Sequence, residues 1–136
     1  MITRLEEIPV TKESYPFASA ERYLKLSERG YVEKEYYMYG MANVYETADE
    51  RGGVRVRTVD APYTNRIIVR APQDTAKCSG NVVVEIINPT SFMEIDRMWI
   101  LGWKKFVRDG DIYVGITSKP NTIAKKVEFD EKRYGR

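Results

Sequence analysis

The chain has 136 residues, 22 basic and 20 acidic, with no histidine and a single cysteine, Cys78. A net charge of +2 sets up no field directed at nucleic acid or an anionic membrane, so neither is expected as a partner. One cysteine excludes an internal disulfide and every multi-cysteine metal cluster, and no motif implies a cofactor or a metal.

The opening Met1–Glu7 segment carries no apolar leader core, and no apolar run of spanning length occurs further on. The expectation is a chain kept in a reducing cytoplasm, unless a leader has been removed. The first 29 residues read as a peripheral arm, in which Ser19–Ser27 suits a turn or two of helix stopped by Gly30. From Tyr31 to Tyr39 aromatic residues alternate with charges, as in a half-exposed strand. Gly40 allows a bulge before Met41–Thr47 continues extended. Asp49-Glu50-Arg51-Gly52-Gly53 is a turn signal, and alternation resumes from Val54 to Thr58, which makes a hairpin. Asp60-Ala61-Pro62-Tyr63 then breaks the pattern, Arg66–Arg70 forms another short strand, and Pro72–Gly80 is a polar loop.

The second half changes character at Val82-Val83-Val84-Glu85-Ile86-Ile87, a branched-aliphatic run suited to a strand covered on both faces. Asn88-Pro89 ends it, because proline has no amide for a ladder. Ser91 and Glu94 stand at capping-box spacing, so a helix is expected to start there. Ile95, Met98, Trp99, Gly102, Trp103 and Phe106 fall on one helical stripe, and Asp109-Gly110 supplies the stop. Asp111–Thr117 is the next strand. Residues 81–117 therefore read as a βαβ unit with parallel strands. The fold class is α/β, with a mixed sheet whose antiparallel strands lead into a parallel, helix-covered half.

Read in order, the segments Gly30–Tyr36, Gly40–Tyr45, Ala61–Ile67, Asn81–Pro89, Trp99, Gly115–Pro120 and Phe129–Tyr134 resemble the amino-terminal part of a group of bacterial α/β-hydrolase domain proteins. The likeness runs from about Gly30 to the end, which makes 30–136 the amino-terminal half of such a domain. It implies that residues 82–87 are the third strand of that fold and residues 111–117 the fourth. In that fold the third strand lies beside the one that carries the nucleophile serine, and the acid and histidine follow later. None of these catalytic positions occurs in this sequence. The mismatch is chemical, since a serine hydrolase needs a base poised near neutral pH and histidine usually supplies it.

The same likeness puts the loop Asn88-Pro89-Thr90-Ser91 where an oxyanion-hole amide belongs, with Thr90 the better donor and Asn88 the orienting side chain. Equally, the loop can be a plain strand-to-helix connection. Ser118, at the end of the last strand, is a weaker substrate-binding candidate; its neighbour Lys119 points to the opposite face. Glu85 is either a buried catalytic acid or, more simply, the partner of a nearby Arg or Tyr. Trp99 and Trp103 fit the core better than a pocket, and the tyrosines between Tyr31 and Tyr45 fit sheet packing better than a ligand platform.

Two readings follow. In the first, the chain is the amino-terminal segment of an α/β-hydrolase, with a carboxylic ester as the expected substrate, and is inactive alone. In the second, it is a stand-alone interaction or oligomerisation module. Either way strand 82–87 presents an unpaired edge, to be met by the remainder of the hydrolase or by a second copy of the chain.

Overall fold

A computed structural model describes residues 1–135, apart from the side chain of Ser91. Five strands form one mixed sheet: β1 (Ile2–Ile8), β2 (Tyr31–Thr47), β3 (Val54–Pro72), β4 (Val82–Ile86) and β5 (Ile112–Ile116), in the spatial order β1-β2-β3-β5-β4. The first three are antiparallel, β3 also pairs antiparallel with β5, and β4 runs parallel to β5. The helices are α1 (Ala20–Leu24), α2 (Arg97–Asp109), α3 (Pro120–Phe129) and α4 (Glu131–Tyr134). This is the mixed α/β sheet expected, with the later strand β5 inserted between β3 and β4.

Three elements differ from the sequence reading. Within the peripheral arm, residues 2–8 form an edge strand on β2 that was not expected; their run of Arg4, Glu6 and Glu7 hides the strand because both faces of this edge meet solvent. The expected break at Asp60–Tyr63 does not occur. β3 runs unbroken for 19 residues, absorbing Asp60 at φ 48° next to register shifts between Ala42 and Tyr45. Finally, α2 starts at Arg97 rather than at Ser91, after a single short turn over Thr90–Phe92. Glu94, expected in a capping box, is instead drawn into the core by buried cations.

One face of the sheet is covered. Trp99 and Phe106 of α2 pack against Tyr113 of β5, with ring centroids 5.3 and 6.4 Å from the tyrosine, and Ile68, Ile87, Tyr31 and Leu26 complete the core. Tyr31 donates from its hydroxyl to the Phe106 carbonyl at 2.6 Å, locking β2 to the end of α2. Gly110 closes α2 in the left-handed region at φ 79°, and a Cβ there would collide with the Lys77 carbonyl, so glycine is required.

Charges share this covered face. The inward row Tyr31, Glu33, Glu35, Tyr37 of β2 lies opposite Arg66, Ile68 and Arg70 of β3. Arg66 bridges Glu35 and Glu94, Arg133 of α4 also reaches Glu35, and Arg70 bridges Glu33 and Asp96. Buried carboxylates and guanidiniums are tolerated here because each is paired.

The opposite face is open around β4. Val82, Val84 and Ile86 are 54%, 59% and 72% exposed, in register with half-buried Ile112, Val114 and Ile116. The expectation of a strand covered on both faces therefore fails for these residues: only Val83, Glu85 and Ile87 face the core. β4 also has β5 on one side and no strand on the other. Ile87 donates its amide to Ile116 and Asn81 accepts from Ile112. Strand alternation then turns the backbone groups of Val82, Val84 and Ile86 outward, where they are unpaired in the sheet. Among the described residues no helix is long and apolar enough to cross a membrane.

Candidate functional site

The parallel pair β4 and β5 brings the candidate residues to one end of the sheet. Past Ile87 the chain leaves β4, and Asn88 makes a reciprocal backbone pair with Ile95, at 3.2 and 2.9 Å. This pinches residues 88–95 into a closed loop. Inside it, Asn88 Oδ1 accepts from the Thr90 amide at 2.8 Å and from the Thr90 hydroxyl. Phe92 sits at φ 60°, a left-handed conformation uncommon for a bulky residue. Ser118, in the short segment between β5 and α3, donates from Oγ to the Ile87 carbonyl at 3.0 Å.

The structure thus places Asn88, Thr90 and Ser118 within one connected patch. The Thr90 amide is occupied by the Asn88 side chain, and an anionic oxygen would have to displace that side chain to receive it. Ser118 is tied to the strand end, while Lys119 is exposed. The side chain of Ser91 lies outside the described residues.

Glu85 takes the structural role. Its carboxylate accepts from the Tyr113 hydroxyl at 2.7 Å and from the Met98 amide at 3.2 Å, so it joins β5 to the first turn of α2. Burial first, and then this carboxylate, push the Tyr113 phenol well above its ordinary range. Trp99 is fully buried, and Tyr31 and Tyr37 are also core residues, in keeping with packing roles.

Two features of this region are invisible in sequence order. The first is a buried cluster beneath the loop: Glu94 accepts from Arg66 at 2.7 Å, from the Thr117 hydroxyl at 2.6 Å and from Lys126 of α3. Lys126 Nζ also lies 3.0 Å from Thr117 Oγ1, and burial lowers its pKa to about 8 against the pull of Glu94. The second is a cavity of about 620 Å³ between residues of the 15–23 segment and the end of the loop, Met93–Ile95, with the first turn of α2 beyond it. Neither has a linear motif; the cluster joins β3, the end of β5 and α3, and the cavity depends on the 15–23 segment folding back over α2 and α3.

The site offers a loop amide held by Asn88, side-chain hydroxyls and buried ion pairs. It contains no histidine to act as base, and among the described residues no cluster of metal-ligating side chains. Searches of curated proteins and of solved structures each found no match. The sequence does match the family described as alpha/beta hydrolase domain, over residues 4–136. Strand order, the parallel βαβ unit and this match agree: the chain belongs to the α/β-hydrolase domain family.

Proposed function

We propose that the chain is the amino-terminal portion of a serine-type hydrolase domain that cleaves carboxylic esters, contributing the oxyanion loop and half of the sheet. The nucleophile, the acid and the histidine lie in polypeptide that packs against β4. The observation that carries this reading is the coincidence of the open β4 edge with the closed loop 88–95 at its end. An apolar strand with outward backbone groups needs a neighbour, and a strand placed there would deliver its own C-terminal end beside Asn88 and Thr90. That is where open α/β sheets carry out their chemistry. Thr90 then donates its amide to the developing oxyanion, and Asn88 holds that amide in position until substrate arrives.

The partner of the edge is the remainder of the hydrolase. Pairing of two copies of the chain through residues 82–87 is the competing outcome, and a solution mass distinguishes them.

The test is hydrolysis of a short p-nitrophenyl ester by the chain alone and by the complete hydrolase polypeptide. No turnover is expected from the first. In the second, Thr90→Pro removes the donor amide and is expected to lower kcat by about 10²–10³-fold, as loss of one oxyanion donor does. An unchanged kcat in that variant would remove Thr90 from the mechanism.

A further inference from the structure

We infer that the 620 Å³ cavity beside the loop is the seat of an aryl carboxylate; naming that ligand part of the substrate's acyl half, its carboxylate a second group distinct from the ester carbonyl held at Thr90, rests on the hydrolase reading. The volume falls within the range of small-molecule sites, roughly 300–1,000 Å³. Its walls are built for an aromatic body. Phe129 of α3 meets both Tyr15 and Phe17 edge to face at 5.4 Å, while Ile95 and Ile100 provide the facing aliphatic side. A flat ring laid in this groove meets the same edge-on geometry that these rings already use.

The polar groups decide the other end of the ligand. Glu94 and Asp96 line the cavity, but each is neutralised, Glu94 by Arg66 and Lys126 and Asp96 by Arg70. The Ser19 hydroxyl donates to Glu33 at 2.6 Å. Arg22 is different. Its guanidinium lies 4.1 Å over the Tyr15 ring and has no ion pair among the described residues. An open apolar groove whose acids are already ion-paired, and whose exposed cation Arg22 is not, is complementary to a ligand with an aryl body and one carboxylate.

Position and backbone agree with this. Ile95, on the wall, is hydrogen-bonded to Asn88 in both directions, so the cavity and the loop share a boundary. Ala18, on the opposite wall, sits at φ 58°, and Phe92, just before the wall residue Met93, at φ 60°. Left-handed non-glycine residues persist only where their surroundings hold them.

The experiment is a titration of the chain with 4-phenylbutyrate, followed through the methyl signals of isoleucine and methionine, with circular dichroism of each variant as the check on folding. Saturable shifts confined to Met93, Ile95 and Ile100 are expected. Arg22→Gln should weaken binding about tenfold, the worth of one charge-assisted contact, and Arg22→Lys should keep most of it. The neutral analogue 4-phenylbutan-1-ol should not distinguish wild type from Arg22→Gln, and a folded Ile100→Trp should bind neither. Shifts that do not saturate, that spread to the exposed isoleucines Ile2 and Ile86, or that ignore Arg22 would overturn the site. Saturable binding in a complete polypeptide that cleaves no ester would overturn the acyl assignment alone, and ester turnover without any such binding would overturn the site alone.

Discussion

The guanidinium of Arg70 lies 4.6 Å from the centre of the fully buried Trp99 ring, and on its other contacts it meets Tyr113, Glu33 and Asp96. One side chain therefore joins β3, β2, β5 and the N-cap of α2. Burial raises the Asp96 carboxyl above its usual range even against the pull of Arg70, so Asp96 depends on that cation to stay ionised. Arg70→Met would leave two buried carboxylates without a counter-charge and is expected to cost about 3–5 kcal/mol, the usual loss when one partner of a buried pair is removed. Urea unfolding of the two proteins measures it, and a loss under 1 kcal/mol would show that the cluster is not the keystone of this face.

Glu85 gives a smaller, separable effect. Glu85→Gln keeps the shape but weakens the acceptor shared by the Tyr113 hydroxyl and the Met98 amide. The expected destabilisation is about 1–3 kcal/mol. A catalytic acid at this position would instead give a stable variant with altered pH dependence of turnover in the complete hydrolase.

Lys126 predicts a stability difference at alkaline pH. Burial lowers its pKa in the folded chain to about 8 from the ordinary 10.5, with Glu94 and Glu35 opposing and Arg66 reinforcing. Between these values the unfolded chain holds the proton and the folded chain does not, so stability rises with pH. Below about 8 both forms hold it and the contribution is flat. Tyr113 and Tyr134 act in the other direction, since burial raises both phenols, and their contribution starts to be lost only near pH 10. Subtracting the profile of Lys126→Met from that of the wild type between pH 7 and 9.5 should leave a difference that climbs above pH 8. A flat difference would mean that Lys126 titrates normally.

Val84→Lys separates the two occupants of the open edge. Val84 is 59% exposed and its side chain lies on the uncovered face, so the variant should fold with a stability change within about 0.5 kcal/mol. If two copies pair through β4, Val84 lies near the symmetry axis, and the lysine should convert a dimer to a monomer in sedimentation. If the hydrolase remainder is the occupant, the chain alone is monomeric with either residue, and the lysine destabilises only the complete polypeptide.

How much of this was legible in the sequence depends on how local each signal is. The βαβ unit was readable because Val82–Ile87, the Trp99–Phe106 stripe and Asp109-Gly110 are contiguous and each carries its own cause. The start of α2 was not. The Ser91–Glu94 spacing suits a cap, but Glu94 gains more from Arg66 and Lys126, which come from β3 and α3. Alternating charges at Glu33 and Glu35 look like a solvent face, yet they point inward, because Arg66 and Arg70 on β3 stand across from them. Pro62 looked like a break but falls within a long two-stranded ribbon, next to a bulge that accommodates it. The loop 88–91 was found through the family likeness, whereas the cavity could not be, since Tyr15 meets Phe129 only across the whole chain.

Amide hydrogen exchange at Val84 tests the central claim most directly, with the chain alone at low concentration compared with the same residues inside the complete hydrolase polypeptide. Fast exchange at Val82, Val84 and Ile86 beside protected Val83 and Glu85 is predicted for the chain alone, with protection of all five once the neighbouring strand is in place. Val84 protected in a monomer of the chain alone, or equally unprotected in the complete polypeptide, would contradict an interior strand awaiting the strand that bears the nucleophile.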